Sequence, residues 1–242
     1  MMSYPINPSV FEENPYKDEW FDQDYLYSPD GIQSFPDHHC KKTFEASFPF
    51  IKNFRVAIDI GCRDGEYTRY LQKHFSHTYA FDARKRKFFP YNVDLNKTTH
   101  FTCALGDKAG TLLMNGGTHN QAGEKMAKHP VFTLDSFRFK DVDYIKIDVE
   151  GYEKRVLVGG EETIRENLPL IIIEQNEVCL SDEEPFAAKH WLEDLGYKHV
   201  ATCPRGWDYI MQPPEKLKEK KLQEPSKGSL LGKMLNSILS RN

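Results

Sequence analysis

The sequence predicts an α/β fold in which helices cover both faces of a mostly parallel sheet. Strand-like and helix-like segments alternate from residue 55 onward, as they do when crossover helices join parallel strands. Most of the strand-like segments are continuous apolar runs, which are typical of strands buried on both faces. A length of 242 residues accommodates one domain of this kind with an extension at each end.

Seven segments are predicted to form the sheet, and five helices connect or flank them. The strands are expected at residues 55–60, 78–81, 101–105, 143–149, 170–175, 197–202 and 207–211. The helices are expected at residues 39–53, 67–75, 85–95, 153–166 and 185–195. Residues 111–114 and 131–134 are expected to pair around a polar loop. The last two strands, on either side of Pro204-Arg205-Gly206, predict a C-terminal antiparallel hairpin.

The domain is predicted to occupy residues 41–212, between two extensions. Residues 1–40 are rich in Pro, Asn, Asp and aromatic residues without a sustained period, which predicts an irregular N-terminal arm. Residues 213–242 begin with a charged stretch and end with apolar residues that recur every three or four positions. That pattern predicts a linker and an amphipathic C-terminal helix, which we expect to contact the domain, a partner, a second copy of the chain or a lipid surface.

The composition excludes several classes of protein. The formal net charge of −4 gives no general attraction to nucleic acid, so no nucleic-acid partner is expected. No apolar run approaches the roughly 20 residues that a membrane-spanning helix needs. The first residues also lack the basic and apolar segments of a secretory signal. The sequence therefore predicts a cytoplasmic protein without a transmembrane segment.

The five cysteines are widely spaced and include no Cys-x-x-Cys pair, which predicts free thiols rather than a disulfide or a zinc site. Residues 37–40, Asp-His-His-Cys, place possible metal ligands side by side, but adjacent residues seldom converge on one ion. No bound metal is predicted there.

The strongest functional signal is an apolar strand that runs into a glycine-containing turn and then a helix, between Val56 and Thr68. Gly61 and Gly65 allow a tight turn that passes close to a ligand, toward which the first amides of the helix point. Asp59 ends the strand, where its carboxylate attracts an ammonium group and repels a pyrophosphate. The G-x-G-x-x-G triplet of dinucleotide folds is missing. These features favour S-adenosyl-L-methionine over NAD(P) as the cofactor.

Two further acids follow strand-like segments and extend the predicted cofactor site. Asp82 lies about 20 residues after the glycine turn, where a carboxylate accepts the ribose hydroxyls in nucleotide folds. Asp107 follows the third strand, in a loop that can face the adenine edge; a simple turn is the competing interpretation. Together with Asp59, Gly61 and Gly65 they form the predicted cofactor-binding set.

Charged residues at the carboxyl end of the fourth strand mark a second predicted part of the site. Ligands of open α/β sheets bind outside such strand ends, which makes Asp148 and Glu150 candidates. Lys146 lies within the apolar run, where a lysine is expected to pair with a carboxylate.

Several motifs in residues 55–176 together resemble one known family. They read VAIDIGCRDGEYT, FDA, ALGDKAGT, TLDSF, DYIKIDVEGYEKRVLVGG and IIIEQN. In this combination they are similar to the FkbM-type methyltransferases. The resemblance implies the class I methyltransferase Rossmann-like fold, S-adenosyl-L-methionine as cofactor, and methylation of a hydroxyl oxygen. It also implies that Asp148, Glu150 and Glu174 lie near the transfer site.

Two positions depart from the family pattern. Phe-Asp-Ala ends the second strand where Phe-Glu-Pro is usual, which keeps a carboxylate at that place. Gln175 and Asn176 follow Glu174 where a histidine is often found, which leaves the general base open.

The predicted reaction is an in-line transfer of the methyl group to a hydroxyl of a sugar, glycan or small molecule. Asp148 or Glu174 would take the hydroxyl proton. Alternatively, these carboxylates and Asn176 would hold Mg²⁺. Two other classes stay open on the sequence: an NAD(P)-dependent Rossmann oxidoreductase, and a non-catalytic ligand-binding protein on the same fold.

Overall fold

The computed structural model describes residues 25–28, 31–34, 39–114, 126–175 and 184–215. The strands in these residues are β1 (Tyr25–Ser28), β2 (Gly31–Ser34), β3 (Val56–Ile60), β4 (His77–Asp82), β5 (Thr98–Thr102), β6 (Ala104–Leu105), β7 (Gly110–Met114), β8 (Ala127–Phe132), β9 (Val142–Ile147), β10 (Leu170–Glu174), β11 (Lys198–Thr202) and β12 (Asp208–Gln212). The helices are α1 (His39–Ser47), α2 (Thr68–His74), α3 (Phe89–Asn92), α4 (Glu153–Val158), α5 (Glu161–Asn167) and α6 (Ala187–Leu195).

Seven of these strands form the central sheet, in the order β5-β4-β3-β9-β10-β12-β11. Six of them run in the same direction, and β12 runs opposite to its neighbours β10 and β11. The chain moves outward from β3 through β4 to β5 and then returns to β9 on the other side of β3. This reversal creates a topological switch point between β3 and β9, where open α/β sheets bind ligands. The predicted fold class, with its C-terminal antiparallel hairpin, is confirmed.

Alternate residues of the central strands enter two apolar cores, one on each face of the sheet. On β3, Ile58 and Ile60 belong to one core and Ala57 belongs to the other. Residues of α4, α5 and α6 close the first core, whereas residues of α1 and α2 close the second. Because helices cover both faces, both sets of side chains leave water, and this explains why the strands are apolar throughout.

Three predicted helices differ from those observed. The helix expected at residues 39–53 ends at Ser47, and a short 3₁₀ helix follows at Phe48–Phe50. The helix expected at residues 85–95 is reduced to α3, which begins next to Pro90 because proline is accommodated only in the first turn of a helix. The helix expected at residues 153–166 is divided into α4 and α5 at Gly159 and Gly160. At Gly159 the backbone lies so close to Gly106 that a Cβ would stand 1.9 Å from the carbonyl oxygen of Gly106.

This contact makes Gly159→Ala a strongly destabilising substitution. We expect the free energy of unfolding to fall by about 2–4 kcal/mol, because the new methyl group forces two backbone segments apart. Urea unfolding followed by circular dichroism measures the change. Gly110→Ala is the matched control, since no atom lies within 4 Å of a Cβ added there, and it should change stability by less than about 1 kcal/mol. Equal losses in the two variants would contradict the packing argument.

A small second sheet, in the order β6-β8-β7, extends from the carboxyl end of β5. β7 and β8 pair in the antiparallel direction that the sequence predicts, and β6 pairs with β8 in parallel. The polar loop between β7 and β8 includes residues 115–125, which lie outside the described part of the chain.

The two extensions are described only in part. β1 and β2 form an antiparallel hairpin inside the segment for which the sequence predicts an irregular arm, and Leu26 of β1 is buried. The predicted amphipathic C-terminal helix lies outside the described residues. Among the helices that the structure does describe, none has the length and apolar character to cross a membrane.

Candidate functional site

A pocket that is continuous with solvent lies at the switch point of the sheet. The carboxyl ends of β3, β9 and β10 and the beginning of β12 form its floor, and α1 and the segment leading into α2 form its walls. Its lining residues are His39, Cys40, Thr43, Asp59, Gly61, Cys62, Arg63, Glu66, Tyr67, Lys146, Asp148, Glu174 and Asp208. Asp59, Gly61, Asp148 and Glu174, which the sequence predicts for the site, are therefore brought together.

Gly61 owes its identity to the neighbouring strand as much as to a ligand. Its φ is +88°, and a Cβ at this position would lie 1.8 Å from the carbonyl oxygen of Asp148. The turn after β3 thus passes directly over the end of β9, which brings Asp59 and Asp148 into one pocket. Gly65 also has a positive φ of +90°, and a Cβ there would lie 2.7 Å from Val93 Cγ1. Both glycines shape the predicted cofactor loop through packing.

Asp59 is almost fully buried, with 1% of its surface exposed, at the bottom of the pocket. Its carboxylate accepts a hydrogen bond of 2.5 Å from the hydroxyl of Thr68 at the start of α2. Burial raises the pKa of Asp59 to about 7, although the hydrogen bond from Thr68 and the charge of Lys146 oppose the rise. A positively charged group in the pocket would stabilise the ionised carboxylate.

This raised pKa predicts that binding of S-adenosylhomocysteine depends on pH. The ligand's ammonium favours ionised Asp59, so binding lowers the pKa of Asp59 and releases a proton. Affinity should therefore rise as the pH increases toward about 7 and should level off above it, with a total rise of about tenfold for each unit by which the pKa falls on binding. Calorimetry in buffers of different ionisation enthalpy measures the released proton. Asp59→Asn should remove the release, and proton release that persists in this variant would assign the pH dependence to another group.

Lys146 is the only cation among the buried charged groups at the centre of the described pocket, and it is held by carboxylates from two strands. Its Nζ lies 2.9 Å from Oδ1 of Asp208 and 3.4 Å from Oδ2 of Asp148. Burial alone would lower the pKa of Lys146, but these two carboxylates raise it well above its ordinary value. Asp208 also accepts hydrogen bonds from Thr43 and Cys203, at 3.0 and 3.1 Å. The expectation that Lys146 pairs with a carboxylate is confirmed.

Asp148 and Glu174 share a hydrogen bond across the ends of β9 and β10. Burial by itself raises the pKa of Asp148, but the charge of Lys146 and the hydrogen bond from Glu174 hold that pKa below its ordinary value. Burial, the hydrogen bond to Asp148 and the charge of Asp148 raise the pKa of Glu174 to about 9. At neutral pH, Glu174 is therefore protonated and donates a hydrogen bond to the ionised carboxylate of Asp148. The Asp148 side chain is 34% exposed toward the pocket.

A chain of hydroxyl groups supports the floor of the pocket from below. Tyr67, which lines the pocket, and Tyr144 of β9 are joined by a 2.5 Å hydrogen bond between their hydroxyls, and Tyr144 is joined to Ser47 of α1 at 2.8 Å. The ammonium of Lys146 lies 5.7 Å from the centre of the Tyr67 ring, within the range of a cation–π contact. These contacts bind α1 and the start of α2 to the strand that carries Lys146.

Sequence reasoning missed three sources of pocket residues. α1 contributes His39, Cys40 and Thr43, although its sequence reads only as an amphipathic lead-in to the first strand. The hairpin contributes Asp208, whose signal was its position directly before the apolar residues of β12. Glu66 lies within the glycine turn but was not among the predicted site residues. Burial raises its pKa, and its carboxylate pairs with Arg63 at 3.5 Å.

Asp82 lies at the end of β4, as predicted, but its carboxylate is already occupied. It accepts hydrogen bonds from the backbone N–H groups of Arg63 and Arg84, at 3.2 and 2.8 Å, and from Nε of Arg86 at 2.8 Å. The first of these bonds ties the glycine turn to β4. Asp82 is 6% exposed and does not line the pocket.

Asp107 and Glu150 are placed away from the pocket. Asp107 is exposed in the loop after β6, and Glu150 is exposed in the turn after β9 with a positive φ of +58°. Glu153 sets this turn by accepting the backbone N–H groups of Val149 and Gly151, at 3.0 and 3.1 Å. The structure therefore separates Glu150 from the other predicted catalytic residues, Asp148 and Glu174.

A Mg²⁺ ion held by carboxylates, the alternative that the sequence leaves open, would compete with a positive charge of the protein itself. The ammonium of Lys146 already lies 3.4 Å from Asp148, one of the two carboxylates that the hypothesis assigns to the metal, the other being Glu174. Among the described residues, no three His, Cys, Asp or Glu side chains are arranged to hold an ion. Asn176, the third ligand of that hypothesis, lies outside the described segments.

Comparison with protein families finds a match over most of the domain. The family model described as the methyltransferase FkbM domain matches residues 59–199, which is more than half of the chain. The match includes the end of β3 with its glycine turn, β9 with Asp148, and β10 with Glu174. No match to a curated protein sequence is found.

Solved structures of methyltransferases share similarity with the chain. Methyltransferase FkbM from Methylobacillus flagellatus is 19% identical over 66% of this chain and 43% of that chain, with a TM-score of 0.46. An rRNA methylase from Streptococcus thermophilus is 13% identical over 74% and 98% of the two chains, with a TM-score of 0.44. TrmK from M. capricolum, in complex with S-adenosylhomocysteine, is 14% identical over 82% and 83%, with a TM-score of 0.43. The chain thus spans less than half of the first of these proteins.

Proposed function

Because the chain belongs to the FkbM methyltransferase family, we propose that it is an S-adenosylmethionine-dependent methyltransferase that methylates a hydroxyl oxygen of a sugar, a glycan or another small molecule. The observation that carries this proposal is the ionised carboxylate of Asp148, which faces the pocket beside a protonated Glu174. Transfer to a hydroxyl needs a group that takes the hydroxyl proton, and Asp148 is suited to do so.

The residues of the pocket fit a cationic methyl donor. Carboxylates outnumber cations among its lining residues, and both cations are paired: Arg63 with Glu66, and Lys146 with Asp208 and Asp148. Asp59 and Glu66 would hold the ammonium of the cofactor, and Asp82 would hold its ribose. S-adenosylmethionine supplies a methyl group on a sulfonium, which an oxygen nucleophile can displace.

The arrangement assigns different tasks to the two acids at the strand ends. Asp148 is the proton acceptor, because it is ionised and partly exposed to the pocket. Glu174 is a positioning residue, because its proton is engaged with Asp148 and orients that carboxylate. Lys146 keeps Asp148 ionised, since a buried ammonium at 3.4 Å disfavours protonation of its partner, whereas the negative charge of Asp208 opposes this effect.

A transfer assay with methyl-labelled S-adenosylmethionine tests the proposal. The acceptors are a panel of monosaccharides, glycosides and small alcohols, and the labelled products are treated with mild alkali. We expect label in an alkali-stable methyl ether. Label released as methanol would indicate ester formation, and label found only on amines would indicate N-methylation; either result would overturn the proposed acceptor class while leaving the family assignment intact.

A further inference from the structure

The carboxylate expected to bind the cofactor's ribose holds an arginine from its own chain. The ion pair between Asp82 and Arg86 is short, at 2.8 Å, and both side chains are shielded from water, with exposed fractions of 6% and 17%. Arg86 lies four residues after Asp82 in the stretch Arg84-Lys85-Arg86-Lys87, which directly follows β4.

The hydrogen bonds of Asp82 show which of its acceptor positions remain open to a ligand. A carboxylate offers about four acceptor positions, two on each oxygen. Oδ1 accepts the N–H of Arg84 and keeps one position, whereas Oδ2 accepts both the N–H of Arg63 and Nε of Arg86 and keeps none. Two ribose hydroxyls need one position on each oxygen. The backbone bonds belong to the turn and the strand end, so Arg86 is the partner that can leave.

The pocket itself ends at this point. It reaches Cys62 and Arg63 of the glycine turn, but it does not reach Asp82 on the other side of that turn. Arg86, which is bonded to Asp82, is also absent from the lining of the pocket, so a ribose bound by Asp82 would have to lie beyond the present end of the pocket.

We propose that Arg86 is an intramolecular competitor for the ribose site, and that its displacement from Asp82 accompanies binding of the cofactor. The inference rests on the proposed function of the pocket. It makes Arg86 a residue that sets cofactor affinity: part of the binding free energy is used to break an ion pair that already satisfies Asp82. Removing the guanidinium leaves Asp82 in need of hydrogen-bond donors, which the two ribose hydroxyls provide.

Calorimetric titration with S-adenosylhomocysteine tests this proposal on the full chain. Arg86→Met keeps an unbranched apolar side chain and removes every donor. We expect it to bind S-adenosylhomocysteine about 5- to 10-fold more tightly than the wild-type protein, the gain from no longer breaking a partly buried ion pair. Lys87→Met is the matched control, because it removes one positive charge from an exposed residue of the same stretch whose ammonium lies 5.2 Å from the centre of the Phe88 ring, and its dissociation constant should stay within about twofold.

The ribose hydroxyls are tested with the 2′,3′-dideoxy analogue of S-adenosylhomocysteine. This analogue should show no gain in the Arg86→Met variant, because it cannot donate to Asp82. Unchanged or weaker binding of S-adenosylhomocysteine by folded Arg86→Met would overturn the proposal and assign Arg86 to ligand contact or to structure. Arg86→Gln, which keeps a donor without the charge, gives the same comparison if the Met variant does not fold. Absence of binding in the wild type and in every variant would instead overturn the proposed cofactor site, and the inference with it.

Discussion

Replacement of Asp148 by asparagine is expected to lower kcat for methyl transfer to a hydroxyl by about 10²- to 10⁴-fold, the usual contribution of a positioned general base. Asparagine has the same shape, but it cannot accept a proton at neutral pH. Lys146 loses one of its two carboxylate partners and keeps Asp208, which is the nearer one at 2.9 Å. The dissociation constant for S-adenosylhomocysteine should change much less than kcat. Initial rates with the labelled donor and the acceptor found in the screen measure the effect.

Two further variants distinguish the role of Asp148 from a general effect of removing acids. Glu162→Gln makes the same chemical change at an exposed position on α5, and it should leave kcat within about twofold. Glu150→Gln tests the remaining sequence-predicted candidate, whose side chain lies outside the pocket. If Asp148→Asn retained most of the activity, then proximity and alignment alone would account for the transfer, and Asp148 would have no role as the base.

The same assignment constrains the pH profile of the wild-type protein. Activity should be constant above the lowered pKa of Asp148 and should fall near pH 9, where Glu174 loses its proton. The sign follows from the geometry, because ionised Glu174 repels the negative charge of Asp148 and no longer orients it. In the Glu174→Gln variant, which keeps a hydrogen-bond donor but cannot ionise, this change near pH 9 should be absent.

Replacement of Lys146 by methionine is expected to lower the free energy of unfolding by about 3–5 kcal/mol at pH 7, the usual result of removing one partner of a buried ion pair. The side chains of Lys146 and Asp208 are 4% and 8% exposed, so water cannot replace the lost ammonium. The loss should shrink as the pH falls. Burial would raise the pKa values of Asp148 and Asp208, but the charge of Lys146 lowers both, so the stability that this pairing contributes is present at neutral pH and is lost in the wild-type protein as acid protonates the two carboxylates.

Lys140→Met is the matched control for this experiment. Lys140 also pairs with an acid, Glu166, but the two side chains are 67% and 56% exposed. The free energy of unfolding should therefore change by less than about 1 kcal/mol, as is usual for exposed pairs. Chemical unfolding at pH 7 and pH 4 measures both variants. A loss for Lys146→Met that is equal at the two pH values would show that side-chain packing, rather than charge pairing, accounts for the effect.

The class of the fold could be predicted from local patterns, and the reason is physical. A strand covered on both faces has no solvent side, so residues such as those of β3 and β10 are apolar without alternation, and the intervening helices follow their own period. Element ends were harder to predict. The division between α4 and α5 at Gly159 depends on a contact with Gly106, which lies more than 50 residues away in the sequence.

The candidate site, like the fold, could be predicted only in part from the sequence. Asp59, Gly61 and Asp148 were identified from the sequence because each stands where an apolar strand ends, and parallel strands end at one edge of the sheet. Glu174 was identified only through the resemblance to the FkbM-type methyltransferases. Their protonation could not be predicted, since it depends on burial and on charges from distant segments.

The sequence by itself determined the α/β architecture, the position of the cofactor turn and the acids at the strand ends, because these follow from the periodicity of single segments. Only the tertiary structure decided that Asp208 from the C-terminal hairpin and Thr43 from α1 complete the charge network. It also decided that Arg86 binds Asp82, and that Glu150 is not among the residues that line the pocket. These outcomes depend on distances between segments that are remote in sequence, and the order of residues along a chain does not specify such distances.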